Sequence, residues 1–489
     1  MANENAMKKY SFKAWFRLIV WSLFGVVAFF INVPCPFPEQ ISIGAWVWGP
    51  ISQNANVLVS HLTNLIKAAL YTGNFKAMPV VVWAIGLYAV LDLFIFRPNK
   101  AWKTGMVNAV FAVFKIIGFA VLCLIVLNFY FGFGQDMAIL SWLFGPIETL
   151  GNVSIATFVL DKILVTICIS IPCASLVLPF LCDYGLVDFV GVFVRLIMRP
   201  VFKLPGRAAI IMVTAFLGNF SAGHIAVNEQ YKTGKMTERE SVCIDTSLST
   251  VSVGFLMALA TNTGLIAAGL WNTYFWVAFL ITLLVALVGM RLPPLRGIPD
   301  NYYEGATPNP EKIIKSGLFK AAMTEALDIA EAQDHPGKRI GVVMQETLNV
   351  LGTVAAGTSF WGTFGVVLYI FTPIIQILGY IFWPLYKLLG FSGQELTVAC
   401  TGSMISLVEV TVPALLVAAG EWSMRLRFML AVLPVTSIIF LASFVPCCMG
   451  TEVPVKFWHL MVIWLERMVL SIIITGIFAI ILFPAGAVM

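Results

Sequence analysis

Charge is scarce in this chain. Only 11% of its 489 residues are Asp, Glu, Lys or Arg, against about 25% in an ordinary soluble domain, and the mean hydropathy is +0.91. That balance excludes a soluble globular enzyme and points to a polytopic membrane protein. The formal net charge of +5 reads as basic cytoplasmic loops, not as a nucleic-acid surface. Catalytic and metal-binding motifs are missing too. There is no HExxH and no GxSxG, and the nine cysteines contain no CxxC pair. Most of them (Cys123, Cys168, Cys173, Cys182, Cys400) lie in apolar runs and read as small core residues, with only Cys447 and Cys448 adjacent. No metal and no organic cofactor is expected. The fragment YKTGKMT (231–237) has Glu229 where a phosphate-binding loop needs its first glycine, which argues against an ATP-driven pump.

What the chain has is long apolar runs. Nine are candidates to cross a bilayer: 14–33, 78–96, 106–134, 162–182, 243–263, 271–290, 343–376, 428–448 and 460–484. The first reads as a membrane helix and not as a cleaved signal. Two further runs behave differently. The stretch 208–227 has Arg195, Arg199, Lys203 and Arg207 before it and Lys232, Lys235 and Arg239 after it. A crossing helix should be basic on one side only, so this segment is expected to dip in and return as a re-entrant hairpin (208–228). Its middle reads LGNFSAGH (217–224). Gly218 and Gly223 would let the backbone turn, and Asn219 and Ser221 would face a polar cavity.

The second unusual run, 394–419, is the partner of the first. Aligning RPVFKLPG (199–206) on WPLYKLLG (383–390) matches Pro200 with Pro384, Lys203 with Lys387, Leu204 with Leu388 and Gly206 with Gly390, and continues to Ala215 on Ala399 and Gly218 on Gly402. Its tip, TGSMISLVE (401–409), is again small and polar. Three crossings separate the two hairpins, so the repeats are inverted, and an N-terminus inside with a C-terminus outside satisfies the positive-inside rule. The expected fold is an all-α inverted-repeat transporter with about nine transmembrane helices and two re-entrant hairpins. Its parts are a scaffold (1–161), a first repeat (162–290), a cytoplasmic connector (291–342) and a second repeat (343–489). A helix is expected over 309–333, starting at Pro310. Breaks are expected in the helices that open each repeat, at SIPCAS (170–175), where Pro172 removes a donor, and at GTVAAGTS (352–359).

LPGRAAI, GNFSAGHIAVNEQYKTGKMTERESVCIDTSLSTVSV and RLPPLRGIPDNYY (291–303) together resemble the nucleoside-recognition, or Gate-domain, membrane proteins of the YjiH type. The resemblance is good over 162–303 and weaker over 343–448. It implies a distant relation to concentrative nucleoside transporters, in which two oppositely oriented hairpins hold the solute and an ion or proton drives uptake. Carried onto this chain, substrate contacts fall on Asn219 and Ser221, on Ser403 and Ser406, and on the polar segment DTSLSTVS (245–252). His224 stands where an apolar residue is expected in this branch.

Read from the residues themselves, Thr246, Ser249 and Thr250 belong to a hydroxyl ladder that either bonds its own backbone or lines a site. Thr358 and Ser359 would line the same site from the second repeat. Glu409, an ionisable group in an apolar run, is the expected coupling residue for H+ or Na+, with His224 as a proton site or solute donor. The reading is a secondary transporter of a small polar organic solute, an amino acid, short peptide or nucleoside-like molecule, in the inner membrane. Its partners are solute and lipid, no nucleic acid, and room is left for a homo-oligomer. The alternatives are a channel-like or accessory subunit and a membrane-embedded enzyme.

Overall fold

The computed structural model describes residues 10–484 except 50, 54, 75, 97–105, 148–151, 218–219, 309–316 and 419. Among the described residues, eight helices are long and apolar enough to cross a membrane: Phe12–Phe30, Met78–Phe96, Ala112–Phe131, Ile155–Cys182, Glu238–Asn262, Trp271–Gly289, Val354–Phe371 and Phe457–Leu482. Among the described residues, strand is confined to two small antiparallel pairs, Asn32–Val33 with Asn56–Val57 and Ile41–Ile43 with Trp46–Trp48. The protein is a multi-pass helical membrane protein.

The spans divide by burial. Glu238–Asn262 and Ile155–Cys182 are 89% and 83% buried, whereas Ala112–Phe131 is 22% buried and gives most of its surface to the surroundings. A helix enclosed by other helices is free to carry polar groups, because protein rather than lipid satisfies them. The most buried span is the one that carries DTSLSTVS.

The expected first hairpin folds as two short helices, Arg207–Leu217 and Phe220–Lys232, packed against each other. At Gly223 the fit is close: a Cβ there would stand 3.0 Å from the Ala215 side chain on the facing limb. The second hairpin has limbs Gly393–Ile405 and Val412–Leu416, also in mutual contact. Its turn lies later than the sequence suggested, at 406–411, because Thr401 to Ile405 are still helical. Around each hairpin the same order of elements recurs. A long helix, a short helical segment along the surface, the hairpin, an interrupted helix and a closing span are Thr166–Cys182, Leu186–Ile197, 207–232, 238–262 and Trp271–Gly289 in the first repeat. They are Pro336–Phe371, 374–388, 393–416, 424–449 and Phe457–Leu482 in the second.

Two expectations fail together. The helices opening each repeat are not broken: Thr166–Cys182 runs through Pro172 and Pro179, and Pro336–Phe371 runs unbroken through 352–359. The interruptions fall instead in the helices after the hairpins. In the first repeat the helix ends at Leu248, and a new helix, Val253–Asn262, starts under a Ser252 cap that accepts from the Phe255 N–H at 3.3 Å. In the second, Met424–Ser437 ends at Ile438, whose φ of +49° is unusual for a β-branched residue. The chain resumes helix at Phe444–Met449. The run 428–448, the eighth of the nine expected spans, is therefore two short pieces, and Pro434 within the first removes one of its donors.

The connector helix is Leu318–Ala332; the expected start at Pro310 lies outside the described residues. It is pinned at three places. The buried Arg17 guanidinium donates to the carbonyls of Ala330 at 3.1 Å and Gln333 at 2.6 Å. Arg195 holds the Glu325 carboxylate with both terminal nitrogens, and Ala326, Leu327 and Ala330 pack with Ala14 and Leu18. This helix ties the first span to the surface helix of the first repeat.

Candidate functional site

The first hairpin, both interrupted helices and the last span Phe457–Leu482 meet in the protein interior. Each interruption frees backbone carbonyls that a continuous helix would have bonded, and at this depth they need donors. Arg467 supplies them. Only 1% exposed, it donates from one terminal nitrogen to the Ser247 carbonyl at 2.9 Å and from the other to the Thr436 carbonyl. One guanidinium thus closes both broken helices, one from each repeat. Its planar fork suits two separated acceptors better than an ammonium would. In the sequence Arg467 stands within the apolar run 460–484, with no motif around it. The rule that singled out Glu409, an ionisable group at membrane depth, would have found it.

Buried polar atoms without a protein partner lie at the first interruption and along the last span: the hydroxyls of Ser247 and Ser249, and Arg467 Nε with the hydroxyls of Ser471 and Thr475. Ser471 and Thr475 follow Arg467 at helical spacing on one face of the last span. Ser249 reaches the first hairpin: its Oγ lies 3.9 Å from where a Gly223 Cβ would stand. Groups of this kind are uncommon in folded interiors, where buried polar atoms are normally bonded. They are what a polar solute or ordered water would satisfy.

The remaining expected site residues divide. Thr246 donates to the Val242 carbonyl at 2.7 Å and Thr250 to that of Val251 at 3.2 Å, so both hydroxyls are engaged locally. Ser403 donates to Ala399 at 2.9 Å and also meets the Tyr386 hydroxyl, within the hairpin limb rather than at its tip; Ser406 donates to the Ser403 carbonyl at 2.7 Å. Ser359 donates to the Ala355 carbonyl of its own helix at 2.6 Å, and Thr358 is buried beside it. Asn219 and the Ser221 side chain lie outside the described residues.

Glu409 is 2% exposed in the turn of the second hairpin. Its Oε1 accepts from the Thr411 N–H at 3.3 Å and the Thr411 hydroxyl at 3.1 Å. That turn is stitched to the second interruption: Leu441 and Ala442 donate to the carbonyls of Leu407 and Val408 at 2.7 and 3.2 Å. The carboxylate therefore sits where hairpin and broken helix of the second repeat join.

His224, on the inner limb of the first hairpin, points its Nδ1 at Asp245 in the first interrupted helix. Cys448, in the second, donates to the other oxygen of Asp245 at 3.2 Å. All three are buried. Sequence reading named Asp245 only as part of a polar segment and Cys448 only as core packing.

Residues 163–266, which take in the first hairpin and the first interruption, match the Gate family, described as nucleoside recognition. An uncharacterised protein of Alkalihalophilus pseudofirmus is 28% identical over 319 residues, and the matched region is 61% of this chain and 64% of that one. Among solved structures, a variant of CNTnw in an outward-facing state is 15% identical and covers 86% of this chain and 97% of its own, with a TM-score of 0.38. CNTnw in an inward-facing substrate-bound state is also 15% identical, with coverages of 82% and 91% and a TM-score of 0.36.

Proposed function

We propose that this protein is a secondary transporter that carries a nucleoside-like solute across the membrane, driven by Na+ or H+. The observation that carries the reading is the meeting of two interrupted helices, one from each repeat, at a buried guanidinium, with unpartnered hydroxyls at the first interruption and along the last span. Interrupted helices from two repeats are where secondary transporters hold solute and coupling ion. The match of 163–266 to a nucleoside-recognition family favours a solute bearing ribose hydroxyls and a base edge. Ser247, Ser249, Ser471 and Thr475 offer donors and acceptors suited to both.

Movement of one repeat against the other would expose this interior alternately to the two sides. Glu409 joins hairpin to broken helix in the second repeat, so binding a proton or cation there would bias that junction.

The test is uptake into proteoliposomes. Labelled nucleosides, nucleobases, amino acids and dipeptides are offered under an imposed Na+ or proton gradient. Accumulation of a nucleoside that collapses with the gradient is expected. No accumulation and no binding across the panel would refute the reading.

A further inference from the structure

We propose that His224, Asp245 and Cys448 form a binding site for a single divalent transition-metal cation of the zinc class. The Nδ1, carboxylate and Sγ atoms lie within 4.8 Å of one another. Exposure is 1% for His224 and 0% for Asp245 and Cys448. The separations fit a shared ion. Cys448 Sγ is 3.2 Å from Asp245 Oδ2 and 3.8 Å from His224 Nδ1, bracketing the roughly 3.3–3.6 Å edges of a tetrahedron with zinc-length bonds. The His224–Asp245 contact is shorter than such an edge and must open when the cation enters.

The donor set selects the metal. Imidazole and thiolate favour zinc, cobalt or nickel over magnesium or calcium, which prefer all-oxygen cages. Three protein ligands leave a fourth position for water or solute. On binding, the Cys448 thiol releases its proton to solvent as the sulfur–metal bond forms, while His224 binds as neutral imidazole. A nucleophile relay does not explain the same residues. In a thiol–imidazole–carboxylate triad the thiol and the carboxylate face opposite ring nitrogens, whereas here both face Nδ1.

Placement gives the site its consequence. The ligands come from the first hairpin, the interrupted helix of the first repeat and the interrupted helix of the second. A bound cation would clamp the three together in this arrangement. The inference does not depend on which solute the protein carries.

The experiment titrates chelator-stripped, detergent-purified protein with Co2+, whose thiolate complexes absorb in the near ultraviolet, and then adds Zn2+. One Co2+ per chain is expected, with a charge-transfer band that Zn2+ displaces. Cys448→Ser should lose the band, Cys447→Ser should keep it, and His224→Gln should bind at least tenfold more weakly. A wild-type protein without the band overturns the proposal whatever the variants do, and so does a Cys448→Ser protein that keeps it. The readout is spectroscopic, so failure here leaves the transport assay unaffected and failure of transport leaves this result standing.

Discussion

Arg467 donates to the carbonyl of Ser247 at 2.9 Å across 220 positions of sequence. Because the same guanidinium holds the Thr436 carbonyl, it fastens the end of one broken helix to the end of the other. Arg467→Met should leave those carbonyls buried without a donor and cost about 3 kcal/mol of stability. Arg467→Lys keeps the charge but concentrates its donors at one point. It should fold, melt several degrees lower and bind solute at least tenfold more weakly. Melting temperature and solute affinity, measured on both variants, check this; a Lys variant with wild-type affinity would remove Arg467 from the site.

Ser249 and Thr246 make a controlled pair. The Ser249 hydroxyl is buried without a partner, so Ser249→Ala should leave stability unchanged or raise it by about 1 kcal/mol. Solute affinity should nevertheless fall about tenfold. Thr246 bonds its own helix, and Thr246→Val should change affinity less than twofold. Equal effects of the two on affinity would mean that unpartnered hydroxyls do not mark the site.

The hairpins were legible because they break two sequence rules at once. Both ends of 208–227 are basic, and its middle is small and polar. The interruptions were misplaced for a physical reason. Pro172 looked like a break, yet a helix enclosed by neighbours tolerates a proline whose freed carbonyl finds other company. The actual break at 249–252 has no proline. It is held by a capping Ser252 and by an arginine from the last span, a long-range contact that no local pattern announces. The same limit hid the metal-type cluster: His224 and Asp245 are 21 positions apart, and Asp245 and Cys448 are 203.

Gly118 sets a helix contact that only glycine permits. A Cβ there would stand 1.9 Å from the Ala356 carbonyl oxygen of the long helix Pro336–Phe371. Since the obstacle is backbone, Gly118→Ala must push the two helices apart, at a cost of about 2 kcal/mol. A lower melting temperature and a lower yield of monodisperse protein are expected. An unchanged melting temperature would show that this packing is not what holds the scaffold span to the second repeat.

Arg17 tests the connector. Its guanidinium is 4% exposed and bonds carbonyls at the end of Leu318–Ala332. Arg17→Met should free that helix end and cost about 2 kcal/mol. Protease cleavage near Gln333 should accelerate, measured by limited proteolysis followed by mass spectrometry. Cleavage at the wild-type rate would mean that the ion pair of Arg195 with Glu325 is sufficient anchorage.

Glu409 separates coupling from binding. The two hydrogen bonds from Thr411 converge on a single oxygen, Oε1, and the amide oxygen of Gln accepts equally well in that position. Glu409→Gln should therefore fold normally and bind solute within threefold of wild type. What it loses is an exchangeable charge, so gradient-driven accumulation should fall at least tenfold. Exchange of internal for external solute, which needs no net ion movement, should persist. The comparison is made in one batch of proteoliposomes, with and without the gradient. If accumulation survives in Glu409→Gln, the coupling ion binds elsewhere. If exchange is lost along with accumulation, Glu409 holds the solute or the hairpin rather than the ion.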